Sequence, residues 1–490
     1  MRNTVLATAV AATLALAAPQ AFAQAKGAAT KAEVQAIDAQ MKALAERLNR
    51  LEASNSALQA ENAELKSVVE RREAEVDYLK SQTKELREEG AVAANEISKV
   101  KGADWATKIK ARGDLRYRHE WISTERVNGS TATATVVDAA DRTRHRIRAR
   151  LGFDAQVTDK TKATLLFATG GDDPRSSNQT LGATGTRKSV GVDMAFVDWN
   201  ALSGVNVILG KQPWPQWRPG NSLFFDGDYN PEGGAVKFDR GMLFGSAYGW
   251  WLSEQYNANP AGENSDGNVF GAQLGLKFPL FGGETRVAAN YFDCGACQDQ
   301  SSILYNNSGN GNTTYRVGTG TTNFLRDDFE VLQFSAEMGM TLFDLPFSVW
   351  ADYAQNLAAE KGTVAPGAVD RWSTANDTLD TAYAVGVSLG RASNPKTWAA
   401  ALWYQDLDAN SLFGQFVDSD FGDGTTDSKG WVVRGTYAPV RNFNIQATYF
   451  MNDRFNDVAP LRGGTTPANA FEVGKGIDYD RLQVDLNYRF

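Results

Sequence analysis

From residue 142 to residue 150 every second position is an arginine. In DRTRHRIRARLGF, Arg142, Arg144, Arg146, Arg148 and Arg150 share one parity, and upstream IKARGDLRYRHEW puts Arg112, Arg116 and Arg118 on one parity as well. A guanidinium stays charged at every physiological pH, so such a ladder does electrostatics and not proton transfer: it concentrates anions and repels cations. Like charges in a row also repel one another and need water or counter-ions. Facing lipid, each would cost about 2 to 4 kcal/mol near the midplane of a bilayer, so the ladder is expected to face water as a basic, pore-lining wall. Pairing with neighbouring carboxylates such as Asp114, Glu120 and Asp154 is a competing use of the same charges, and the two uses are compatible.

Covalent chemistry is poorly supplied. The chain has 2 His, His119 and His145, too few for metal catalysis. His145 shares parity with Ile147 and Leu151, which makes it the one candidate for a hydrolase site opening on lipid. Such a site needs a nucleophile and an orienting group, and no GxSxG marks them. No enzyme, metal or cofactor is therefore expected. Cys294 and Cys297, the only cysteines, could close a tight disulfide bracing an exposed loop; no His follows Cys297 and no second CxxC completes a zinc site. The acidic stretch DSDFGDGTTDSKG, with Asp418, Asp420, Asp423 and Asp427, misses the EF-hand spacing and reads as an external loop. A formal net charge of -8 argues against nucleic acid as a partner.

One connecting stretch stands apart. KQPWPQWRPGNSLFFDGDYNPEGG carries Lys211, Trp214, Trp217, Arg218, Asp226, Asp228 and Glu232 among four prolines, a stiff aromatic set ill suited to a mobile external loop. It is expected to fold inward and form a constriction, with Asp226, Asp228 and Glu232 opposing the arginine ladder and Lys211 and Arg218 tempering the field. An ordered external loop used for subunit contact is the alternative.

The elements that hold these residues have a period of two. From Trp105 onward, apolar and polar residues alternate in segments of about nine to fifteen residues, about sixteen in all, joined alternately by tight turns and long polar loops. Apolar residues on only one parity, and charges on the other in nearly every segment, exclude a sandwich with a dry interior. They fit a closed antiparallel transmembrane barrel over residues 105–490, the third long loop turned inward. Trp121, Trp199, Trp250, Trp251, Trp398, Trp403, Trp431, Tyr437, Tyr449 and Tyr488 lie near segment ends and read as interfacial girdles.

Ahead of the barrel the character differs. Residues 1–23 read as an export signal ending in Ala21-Phe22-Ala23, residues 24–30 as a linker, and residues 31–100 as an α-helical coiled coil. Met41, Leu48, Asn55 and Asn62 take a positions, and Leu44, Leu51, Leu58 and Leu65 take d positions. The two asparagines suit a parallel homo-oligomer, two or three strands being left open. The helix would reach on the order of 90 Å.

The signal, the coil, GDLRYR, RTRHRIRARLGF, VILGKQPWP and the terminal LNYRF together resemble the putative porin family of Gram-negative outer membranes. The resemblance spans the whole barrel. It implies an outer-membrane channel for passive diffusion of small hydrophilic solutes, a trimer, and a coil lying in the periplasm. The basic wall adds a preference for anions. The terminal aromatic, Phe490, resembles the signal read by barrel-assembly machinery, which joins outer-membrane lipid among the expected partners. A structural tether reaching the peptidoglycan cell wall, with the barrel as its anchor, is the alternative function.

Overall fold

The computed structural model describes residues 31–99, 106–128, 135–254, 266–295, 297–317, 320–360, 368–370, 378–454 and 477–490. The expected export signal and linker lie outside them. The chain divides into two units, one ending at Lys101 and the other beginning at Gly102.

Among the described residues of the first unit, a helix, α1, runs from Lys31 to Lys99. Strong helix formers dominate it, no glycine or proline interrupts it before Gly90, and ion pairs such as Lys42–Asp38 at 3.4 Å brace its surface. Met41, Leu44, Leu48, Leu51, Leu58 and Leu65 all lie exposed along it.

The second unit is a closed barrel of sixteen long antiparallel strands. They are β1 (Ile109–Asn128), β2 (Arg142–Thr158), β3 (Thr161–Thr169), β4 (Val190–Leu202), β5 (Val205–Lys211) and β6 (Glu232–Arg240). There follow β7 (Leu243–Ser253), β8 (Gly267–Leu280), β9 (Gly283–Gly295), β10 (Glu330–Leu342) and β11 (Leu345–Asn356). The last are β12 (Thr381–Gly390), β13 (Thr397–Leu407), β14 (Ser428–Val440), β15 (Phe443–Arg454) and β16 (Ile477–Arg489). Each pairs with its sequence neighbour, and β16 returns to β1 with Asp485 opposite Arg118, so the sheet has no free edge. Tight turns demand left-handed backbone where strands reverse. Gly204 between β4 and β5 has φ 72°, and a Cβ there would lie 2.5 Å from the Asp239 carbonyl oxygen.

Alternation sets the two faces. On β1, Leu115 and Tyr117 are exposed on the outer wall, while Arg118 and Glu120 are buried on the inner one. The girdle expectation fails at two positions. Trp250 and Trp403 are buried in the aromatic cluster inside the wall, whereas Trp251, Trp199, Trp398 and Trp431 stay outside. Adjacent residues cannot share a face, so only one of Trp250 and Trp251 meets lipid. The interior is also drier on one side than expected. Trp214, Phe224 and Phe225 of loop 212–231 and Phe413, Phe416 and Phe421 of loop 408–427 join inward Trp250, Phe292, Trp350 and Trp403 in one hydrophobic cluster.

Candidate functional site: the charged inner wall

β1, β2 and β16 carry the arginine ladder, and their register decides its partners. Opposite each other on β1 and β2 stand Asp114 and Arg150, Arg116 and Arg148, Arg118 and Arg146, and Glu120 and Arg144. Acids at the two ends of this patch hold the cations between them. Asp114 takes Arg148 Nη2 at 2.9 Å and Arg150 Nε at 2.8 Å, and Glu120 binds Arg144 and, at 2.5 Å, Arg481 Nη2. Asp485 receives a forked pair of bonds from Arg118, Nε at 2.6 Å and Nη2 at 2.8 Å. Arg112 pairs with Asp154 at 3.1 Å, and Arg146 lies 3.7 Å from Glu120. Two arginines of the ladder keep no ion pair among the described residues: Arg116, which donates to the Asn178 side chain at 2.6 Å, and Arg142, which is exposed.

The residues expected to form a constriction divide by role. Only Asp228 meets the ladder, 3.5 Å from Arg148 and 3.8 Å from Arg150. Glu232 instead pairs with Lys211 at 2.8 Å, because the two face each other across the β5–β6 register. Asp226 is buried and accepts from the backbone of Ser419 at 2.8 Å and of Asp228 at 2.7 Å. Trp214 donates to the Asp226 carbonyl at 2.9 Å, and Arg218 to the Phe225 carbonyl at 2.6 Å. Trp217 is held through its backbone, its N–H donating to the Gln273 side chain at 2.7 Å and its carbonyl accepting from it at 2.8 Å. The loop also reaches Glu337, Asp352, Ser388 and Gln405 on β10 to β13.

The acidic stretch expected to be external is part of the same site. Asp420 binds Arg118 at 2.9 Å and Arg481 at 2.8 Å, and the Asp226 N–H donates to the Phe416 carbonyl at 2.7 Å. Asp427 is fully buried. The signal was present in SLFGQFVDSDFGDG: Phe413, Phe416, Val417 and Phe421 make this loop as apolar as the one judged to be a constriction. The bond of Arg481 to Glu120 has no signature in the sequence, because it forms only when the barrel closes.

Electrostatics at the junction of the two loops follow from these contacts. Burial opposes charge on Asp420, but the Arg481 and Arg118 guanidiniums overcome it and hold the carboxyl well below the usual range. Asp228 is likewise lowered against its burial, by Arg148 and Arg116. Burial and the neighbouring carboxylates push Asp226 well up, and burial with the charge of Asp420 raises Asp418 to about 6.

Cys294 and Cys297 form a disulfide, and both are fully buried in the aromatic cluster, not on an exposed loop. His145 lies on the outer wall with Tyr117 Oη at 2.7 Å and His119 Nδ1 at 3.5 Å from its Nδ1. Among the described residues no group of three His, Cys, Asp or Glu side chains is arranged to hold a metal ion.

A closed sixteen-strand barrel, apolar outside and charged inside, with no free edge, defines the class: a membrane-spanning β-barrel. The family model described as Putative porin matches residues 120–316 and 298–490, and the chain belongs to that family. Family and barrel together make it an outer-membrane porin. Among solved structures, OprB of Pseudomonas putida is similar at 10% identity and TM-score 0.47, covering 79% of this chain and 95% of its own. OmpF of Salmonella typhi has 12% identity and TM-score 0.41, covering 78% and 97%. OmpT, an outer membrane protein of Vibrio cholerae, has 13% identity and TM-score 0.42, covering 78% and 97%. No curated protein matches the sequence.

Proposed function

We propose that the chain is a passive channel for small hydrophilic solutes with a preference for anions, and that it performs no covalent chemistry. The carrying observation is the inward guanidinium ladder, in which Arg116 and Arg142 have no ion-pair partner among the described residues while the remaining ladder cations share Asp114, Glu120, Asp154, Asp228, Asp420 and Asp485. Uncompensated charge on a water-facing wall raises the local concentration of counter-ions. Loop 212–231 is the inward constriction of this reading, supported by its bonds to side chains on β8 and β10 to β13. Planar-bilayer recordings under a salt gradient test it. The expected reversal potential is that of an anion-preferring channel, and neutralising Arg144, Arg146 and Arg148 together shifts it toward cations. An unchanged potential would mean that the carboxylates already neutralise the ladder.

Export through the signal at residues 1–23 places the barrel in the outer membrane and α1 in the periplasm. The exposed seam from Met41 to Leu65 supports pairing of α1 with other copies in a parallel coiled coil, and a trimer is the assembly proposed. Phe490 serves as the signal for the barrel-assembly machinery. A tether to peptidoglycan is the second reading, favoured by a helix of 69 residues that no pore requires.

A further inference from the structure

A cavity of about 460 Å³ lies against the inner wall of β4 to β9, near the turn at Gly204, beneath residues 215–217 of the third loop. That volume falls in the range of about 300 to 1,000 Å³ typical of small-molecule sites. Three features of its lining are chemically specific. The first is an aromatic face: Trp217 is half-buried, sits edge-on to Phe244 with ring centroids 5.8 Å apart, and is clamped through its backbone by Gln273. The second is the Gln216 carboxamide, 6% exposed, whose Oε1 and Nε2 both lack a hydrogen-bond partner. A buried amide with a free donor and a free acceptor is unusual, and a ligand hydroxyl, which both donates and accepts, completes it. The third is Lys237, exposed on the inner face of β6, which has no hydrogen bond or ion pair among the described residues. The nearby cation Lys277 is already paired with Asp239, and Asn206 is committed to Asp198 at 2.6 Å.

We propose that this cavity is a binding site for a sugar acid: a single hydroxylated ring carrying a carboxylate. The C–H face of the ring packs on the Trp217 indole, whose π face is electron-rich. Gln216 exchanges hydrogen bonds with the ring hydroxyls, and Lys237 takes the carboxylate. The inference rests on the channel reading above and names the solute class that reading leaves open. It also gives Gln273 a task, because the two bonds it makes to the Trp217 backbone fix the orientation of the platform.

Full-length protein in planar bilayers, titrated with sodium glucuronate, glucose and sodium acetate, tests the site through interruption of the ion current. Glucuronate is expected to block at a concentration about tenfold below either glucose or acetate, the worth of one charge-assisted hydrogen bond. Trp217→Ala and Gln216→Ala should each raise its blocking concentration by about fivefold or more. Lys237→Gln, on an exposed position that does not threaten folding, should remove its advantage over glucose. Acetate blocking as well as glucuronate would overturn the proposal in favour of charge alone, as would variants that block like the parent. Calorimetric titration of glucuronate into the detergent-solubilised protein separates the two levels. Channels that conduct without binding glucuronate overturn the site and leave the channel reading intact. Binding that Trp217→Ala abolishes, in protein that passes no current, supports the site and overturns the channel.

Discussion

At the scale of single residues, each ladder arginine is governed by what stands across the sheet from it. Asp114 and Glu120 were identifiable as partners from β1 and β2 alone, since both lie on the ladder's parity. Asp228 was legible only as one of three loop acids expected to oppose the ladder, and it alone does so. Asp420 was not legible, because it arrives from a loop far away in the chain. The two loops meet at Asp226 and Asp418, and their raised values give the junction a pH dependence. A carboxyl whose folded value lies above its unfolded one favours the folded state at low pH, and that contribution is lost as pH rises through about 6, the Asp418 value. Asp228 and Asp420 are lowered, so their losses fall at more acidic pH, outside this window. The denaturation midpoint of the solubilised protein should therefore rise on going from about pH 7.5 to about pH 5. Asp418→Asn should raise the midpoint at the upper pH and flatten the slope. A parent profile that falls over the same interval would show that Asp418 titrates without consequence for folding.

At the scale of elements, loops 212–231 and 408–427 behave as one packed body. Phe416 stands 5.3 Å from Trp214, 5.1 Å from Tyr229 and 5.0 Å from Phe413, ring centre to ring centre, and edge-on to each. Replacing it with alanine should cost about 3 kcal/mol and leave a cavity that loosens both loops. The visible result would be larger fluctuations in single-channel current, with strand content unchanged by circular dichroism. Quiet channels from Phe416→Ala would show that the loops hold their positions separately. The helix is the opposite case. Deleting residues 31–100 should leave barrel conductance in place and weaken assembly on native gels, because the exposed seam from Met41 to Leu65 belongs to the helix alone. A deleted chain that inserts but passes no current would make the coil part of the channel.

At the scale of the whole molecule, closure is the decisive contact. The Phe490 N–H donates to the Gly113 carbonyl at 3.0 Å, and the Gly113 N–H to the Phe490 carbonyl at 2.9 Å, so the last residue bonds to the first strand. The seam is tight at Gly113: a Cβ there would lie 2.7 Å from the Arg150 carbonyl oxygen, besides meeting the Phe490 ring. Removing Phe490 should lower the yield of folded, membrane-inserted protein by about tenfold while the channels that do form conduct as before, because it lines no part of the lumen. Normal yield with altered conductance would place its role in the pore.

What the sequence determined by itself is whatever repeats along the chain. A period of two specifies strands and their two faces, charge confined to one parity specifies a wet interior, and alternation of short and long connections specifies a closed antiparallel barrel. Each is a local rule applied many times, so isolated lapses such as Trp250 and Trp403 did not disturb it. The tertiary structure decided which distant residues meet inside: Asp420 with Arg118 and Arg481, Phe416 with Trp214, Gln216 and Lys237 around one cavity. Those meetings depend on how far each loop reaches across a closed wall. Closure brings residues hundreds of positions apart within bonding distance, and no periodicity in the chain encodes that distance.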